Sequence, residues 1–148
     1  MTTILNPAPA AELPDGMLAM CDYVTPNETE TEELTGIPVS TIGDAHAAAA
    51  VFMEMGVKGV VITLGERGAY YRDRDHAELV PAISAGPVVE TTGAGDAFNG
   101  GFAVGLARGD DPVTAVKFGA ATAGISVTRP GTAPSMPTLD EVSALLAQ

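Results

Sequence analysis

The residues with the most chemical content stand together at 91–101, TTGAGDAFNGG. Asp96 follows directly on a Gly-Ala-Gly turn. Two glycines a residue apart let the backbone fold tightly and expose its N–H groups. A helix-like run comes next, so those N–H groups meet the positive end of a helix dipole. Such a turn can hold a phosphate or collect developing negative charge, leaving Asp96 as a general base. The same residues also suit a plain helix start with Asp96 as its cap. The run is not a Walker A loop, because no Gly-Lys-Ser/Thr occurs. Nor is it a dinucleotide fingerprint, since Phe98 stands where the third glycine belongs.

Three further stretches carry candidate chemistry. Asn27 to Glu30 forms a capping-box pattern, and Glu30 is alternatively a carboxylate for a hydrated divalent cation beside a polyphosphate. Thr63-Leu-Gly-Glu-Arg-Gly68 is a β-turn rich in unusual dihedrals. It also follows a strand, at the carboxyl end where open α/β sheets bind ligands. The run TRPGTAPSMP at 128–137 is either a surface linker or a cradle of carbonyl and hydroxyl oxygens for a hard cation.

The elements that must position these groups alternate between β-like and helical. TTILN (2–6), DYVTP (22–26) and GVVITL (59–64) read as strands, the last apolar throughout and so covered on both faces. AYYR and ELVPAIS are two weaker strands. Helices are expected from Asn27 to Gly36, from Asp44 to Met55, over 97–108, over 112–127 and over 138–147. The turn at 93–96 is expected as a loop. The helix at 112–127 holds Lys117 as its only charge and is expected to be buried. Thr138 and Glu141 suit a capping box for the last helix. This grammar predicts one α/β domain over 1–148, with helices layered on a sheet.

Composition narrows the partners. Nineteen acids against seven bases give a net charge of −12, which disfavours nucleic acid and anionic membrane. A nucleotide remains compatible, because backbone N–H groups and a divalent cation can hold its phosphates. Cys21 is the only cysteine, so no intrachain disulfide and no Cys-based zinc site is available. His46 and His76 are too isolated to suggest a metal site. The N-terminus has no basic leader and no long apolar stretch, and a cytoplasmic location is the expectation.

Taken together, ILNPAPA (4–10), VTPNETETEELTGI (24–37), VVITLGERGAYY (60–71), TTGAGDAFNGGFA (91–103) and VTRPGTAPSMP (127–137) resemble the C-terminal half of the PfkB-type, or ribokinase, family of carbohydrate kinases. The resemblance covers almost the whole chain. It implies a ribokinase-like three-layer α/β/α sandwich, represented by its nucleotide-binding C-terminal part, with the lid and N-terminal half missing. It implies ATP-dependent phosphorylation of a small sugar, ribose first. Asp96 would take the proton from the sugar hydroxyl, and the N–H groups of Gly93, Ala94 and Gly95 would form the anion hole. Asn27, Thr63, Gly65, Glu66, Arg67 and Gly68 would bind ATP, and Glu30 would hold Mg2+ through water. Glu90, Thr92, Ser126, Arg129, Gly131 and Ser135 would surround an activating K+.

Two departures qualify the resemblance. Glu90 stands where the family usually has Asp, which moves the carboxylate out by one methylene. The family's N-terminal half, which supplies sugar-binding residues, lid strands and much of the dimer interface, has no counterpart here. A second reading is therefore a truncated or split nucleotide-binding module without sugar kinase activity on its own. Either reading expects exposed apolar surface, covered by an N-terminal half or by a homo-oligomer.

Overall fold

Val60, Val61 and Ile62 are completely buried, as a run apolar on both faces requires. They belong to the middle strand of a five-stranded sheet in a computed structural model that describes residues 1–148. The strands are β1 (Ile4–Leu5), β2 (Tyr23–Val24), β3 (Gly59–Thr63), β4 (Ala69–Asp73) and β5 (Ala77–Val80), in that spatial order. β1, β2 and β3 are parallel, with Ile4 opposite Tyr23 and Val24 opposite Val60. β4 turns back antiparallel, with Thr63 opposite Ala69 and Gly59 opposite Asp73. The mixed sheet bears out the α/β expectation. β1 and β2 are shorter than the runs that announced them, because Pro7 and Pro26 cannot donate to a ladder.

The helices are α1 (Glu28–Thr35), α2 (Ile42–Glu54), α3 (Ala94–Ala107), α4 (Pro112–Ser126) and α5 (Leu139–Leu146). α2 begins two residues earlier than its apolar spacing suggests, because Thr41 and Asp44 form a reciprocal capping box. α3 begins three residues early. Gly93, not Asp96, is its N-cap, and residues 94–96 are its first turn rather than a loop. Helices α4 and α5 fall where expected, α4 behind Asp111 and Pro112 and α5 behind the Thr138–Glu141 box.

The chain forms two compact units, Met1–Leu79 and Val80–Gln148. In the first, Ala45, Ala48, Ala49 and Phe52 of α2 pack on Val24, Val60, Ile62 and Tyr70. Phe52 is fully buried, and truncating such a ring costs about 3–5 kcal/mol. In the second, α4 buries nine residues, as its lack of charge predicts. Phe118, Ala121, Ile125 and Val142 form the core there, with Ile83 and Leu145 at its margin.

Helices α3 and α4 approach closely enough that glycine is required at the crossing. A Cβ on Gly105 would stand 2.7 Å from Ala115 Cα, and one on Gly119 would stand 2.8 Å from the Phe98 carbonyl oxygen. A Cβ on Gly101 would collide with the Thr122 hydroxyl. No helix is long and apolar enough to cross a membrane.

Candidate functional site

The candidate residues fall into two sets, one in each unit. In the first unit they gather at the carboxyl ends of β2 and β3. Asn27 bridges Thr63 in parallel register, and the Thr63 N–H donates to the Pro26 carbonyl at 2.9 Å. The sheet thus brings Asn27 beside Thr63, although 36 residues separate them in sequence. Asn27 Oδ1 accepts the Glu30 N–H at 2.8 Å, and Glu30 Oε2 accepts the Asn27 N–H at 2.8 Å. The capping reading of this pair is therefore realised. Glu30 is 7% exposed, and the box occupies only one of its carboxylate oxygens.

Beyond Thr63 the chain makes a tight 3-10 turn at Gly65–Arg67. Gly65 and Gly68 have φ of 57° and 103°, conformations that a side chain resists. The Leu64 N–H closes the turn on the Gly68 carbonyl at 2.8 Å. Arg67 braces it from outside, donating to the Ser40 carbonyl at 2.9 Å and pairing with Glu28 at 3.2 Å. Glu66 is exposed on the turn. Neither Glu28 nor Ser40 stands out in the sequence. Only the position of Glu28 at the head of α1, facing a strand-end loop, could have marked it.

The second set surrounds the start of α3. Gly93 sits at φ 81° with no side-chain cap. A Cβ there would be strained and would lie 3.0 Å from Thr132 Cγ2. The Ala94 N–H donates to the Thr91 carbonyl at 3.1 Å, and the Ala97 N–H to the Gly93 carbonyl at 2.9 Å. Ala94 is thus withdrawn from the expected donor set, while the Gly95 and Asp96 N–H groups have no partner in the chain. Asp96 is exposed on the same turn. Asn99 Nδ2 donates to the Gly95 carbonyl at 2.9 Å and so ties into this turn from one turn further on, without meeting its N–H groups. Its i+4 spacing from Gly95 is the one sequence signal for this contact. Chemically, two free N–H groups, a helix dipole and a carboxylate share one exposed turn.

The residues expected around K+ are tied to one another or to the backbone. Glu90 Oε2 accepts the Gly131 N–H at 2.7 Å. Ser126 Oγ donates to the Ala123 carbonyl at 2.9 Å, and Ser135 Oγ to the Thr132 carbonyl at 2.6 Å. Arg129 donates to Glu141. That guanidinium, with the Thr138 N–H, holds the Glu141 carboxyl down at about 2. Thr92 is exposed just before Gly93. No group of three or more His, Cys, Asp or Glu side chains stands ready to hold a metal ion.

The comparisons with known proteins place this architecture among the ribokinase-like α/β folds. The structure of Arabidopsis thaliana ribokinase complexed with ribose and ATP matches it with a TM-score of 0.95 at 35% identity, over 99% of this chain and 48% of that one. The chain belongs to the pfkB family of carbohydrate kinases, whose model matches residues 1–139. It is 41% identical to the ribokinase of Haemophilus influenzae, over 97% of this chain and 46% of that protein. It is equally 41% identical to the deoxyribokinase of Salmonella typhi, over 97% of this chain and 47% of that protein. The chain thus spans about half the length of the curated relatives it matches.

Proposed function

We propose that residues 1–148 act as one domain carrying the nucleotide site and the general base of an ATP-dependent sugar kinase. Ribose is the sugar and ribose 5-phosphate the product. The observation that carries this reading is the bare first turn of α3, where Asp96 shares an exposed turn with unpaired N–H groups. The sugar hydroxyl oxygen attacks the γ-phosphorus of ATP while its proton passes to the Asp96 carboxylate, and the bond to ADP breaks. The N–H groups of Gly93, Gly95 and Asp96 take up the charge on the phosphoryl oxygens, and positioning does most of the remaining work. Asn27, Thr63 and the braced turn Gly65–Gly68 line the nucleotide.

Mg2+ suits Glu30, whose buried carboxylate keeps one oxygen outside its capping box. A single carboxylate is enough for an ion that retains water and substrate oxygens, and its chemistry is to neutralise phosphate charge. The reaction takes place in the cytoplasm, with no role for nucleic acid or membrane.

The test is ATP-dependent phosphorylation of ribose, with 2-deoxyribose as the competing sugar because a deoxyribokinase is equally similar. The chain is assayed alone and with the N-terminal half of a ribokinase supplied in trans. Activity on ribose that requires the added half supports the reading. Absence of ATP binding by the folded chain, together with no activity in either case, would overturn it. ATP binding without activity, even with the added half, favours an idle nucleotide-binding module.

A further inference from the structure

We propose that Arg67 is a positioning residue for the turn Gly65–Gly68, and that it acts on the nucleotide through that turn rather than by touching phosphate. The inference rests on the nucleotide reading proposed above, and it is carried by one side chain that reaches two other elements. The turn closes on itself: the Arg67 N–H donates to the Leu64 carbonyl and the Gly68 N–H to the Gly65 carbonyl, both at 3.1 Å. Its two glycines lie at φ of 57° and 103°, which gives the turn its shape and also its freedom. The outer side is bare. A Cβ on Gly65 would meet nothing within 4 Å, and Glu66 is exposed. Of the turn's side chains, only that of Arg67 reaches another element.

Arg67 Nη1 donates to the Ser40 carbonyl at 2.9 Å, and Nη2 lies 3.2 Å from Glu28 Oε1. Glu28 stands at the head of α1, between Asn27 and Glu30. Ser40 is itself held by α2, because Asp44 Oδ2 accepts its N–H at 3.0 Å. Both ends of the turn are therefore held against α1, Thr63 through its bridge to Asn27 and Arg67 through Glu28. A carbonyl and a carboxylate on two elements suit a planar fork of donors, whereas an ammonium would serve one at a time. The Glu28 carboxylate also offsets the charge of the guanidinium, so the pair presents little net field to a phosphate. What reaches the nucleotide is the shape of the turn.

The experiment measures ATP, ADP and AMP binding to the 148-residue chain by calorimetry, with urea denaturation and amide hydrogen exchange recorded without ligand. Arg67→Met keeps the aliphatic stem. It is expected to weaken all three nucleotides by the same factor, about tenfold, the scale of one lost charge-assisted bond. Its urea midpoint should barely move, because exposed ion pairs add little to stability, while the amides of Gly65–Gly68 exchange faster. Glu28→Ala is expected to weaken ATP about threefold, the scale of an exposed pair, although it removes a negative charge near a polyphosphate. The two changes combined should be no worse than Arg67→Met alone, since Glu28 acts through the guanidinium. Arg67→Lys should fall between Arg67→Met and the unaltered chain.

A loss in Arg67→Met that grows from AMP to ADP to ATP would overturn the proposal, because it marks direct contact between guanidinium and phosphate. So would tighter ATP binding by Glu28→Ala, or unchanged exchange over Gly65–Gly68 in Arg67→Met. Failure of the unaltered chain to bind any of the three nucleotides would count against the proposed function alone, because the loosening of the turn is read without ligand.

Discussion

Helix α1 closes its own first turn, and helix α3 leaves its first turn open. Asn27 and Glu30 exchange side-chain and backbone hydrogen bonds at the start of α1. Thr41, Asp111 and Thr138 do comparable work for α2, α4 and α5. Only α3 starts without a side-chain cap, on a glycine in the left-handed region. A glycine in place of a capping side chain costs only about a few tenths of a kcal/mol, so the molecule gives up little stability at this one helix start of five. Both α1 and α3 carry candidate site residues, but they expose different chemistry. The closed start offers a spare carboxylate oxygen, whereas the open start offers N–H groups to an anion.

The sharpest way to break this contrast is at Asp96. In the complemented kinase, Asp96→Asn is expected to lower kcat by about 10²- to 10⁴-fold, the usual contribution of a positioned base, while ATP binding survives. If calorimetry showed ATP binding lost from a folded variant, Asp96 would be a structural residue of the turn.

Next in size is Gly119→Ala. Its methyl would meet the Phe98 carbonyl and push α3 two residues beyond Asp96. Overpacking of this kind costs about 1–3 kcal/mol, to be read from urea denaturation. A variant as stable as the parent would mean that the helices separate without strain.

At the closed start, Asn27→Ala is expected to cost about 1 kcal/mol and Asn27→Ser to restore most of it. Nucleotide affinity separates the two roles of Asn27. If Ser restored stability but not affinity, the side-chain amide would be a ligand group as well as a cap. Full recovery of both would leave it a cap only.

The smallest effect concerns acid. Asp44, Asp111 and Glu141, the capping carboxylates of α2, α4 and α5, are all held below their ordinary values. Asp44 is lowered by the Thr41 and Ser40 N–H groups, Asp111 by the Thr114 hydroxyl and N–H, and Glu141 by Arg129. Depressed carboxyls contribute stability above their unfolded values, and that stability is lost as pH falls through the folded ones. Hydrogen exchange between pH 4.5 and 2 should show the first turns of α2, α4 and α5 losing protection relative to their midsections. The start of α3, which has no such cap to lose, should change least. Equal loss at all the starts would erase the distinction.

The capping boxes at Asn27 and Thr138 were legible in sequence because each is a local pattern four residues long. The strand at 59–64 and the buried α4 were legible from runs of apolar residues. The start of α3 is hidden in the sequence because glycines read as loop, whereas in a first turn their poor helix propensity matters little and their freedom of dihedral decides. The α2 box is less legible because its third position holds Asp44 rather than the Glu or Gln of the usual pattern. Glu90 and Gly131 lie 41 residues apart, and no spacing rule joins them. Their hydrogen bond exists only because α3 and α4 fold back as a hairpin.

The glycine that opens α3 also bears on any attempt to make this protein more robust. Optimising helix caps is an ordinary route to stabilisation, and its recurrent cost is activity where a site needs a frustrated group. Four helices here are already satisfied, so a search for missing caps would settle on Gly93. A side chain there would be strained at φ 81° and crowded by Thr132, so the one uncapped start is also the one where a cap cannot simply be added. Selection for thermal survival alone would therefore be expected to leave this glycine in place and to act elsewhere in the molecule.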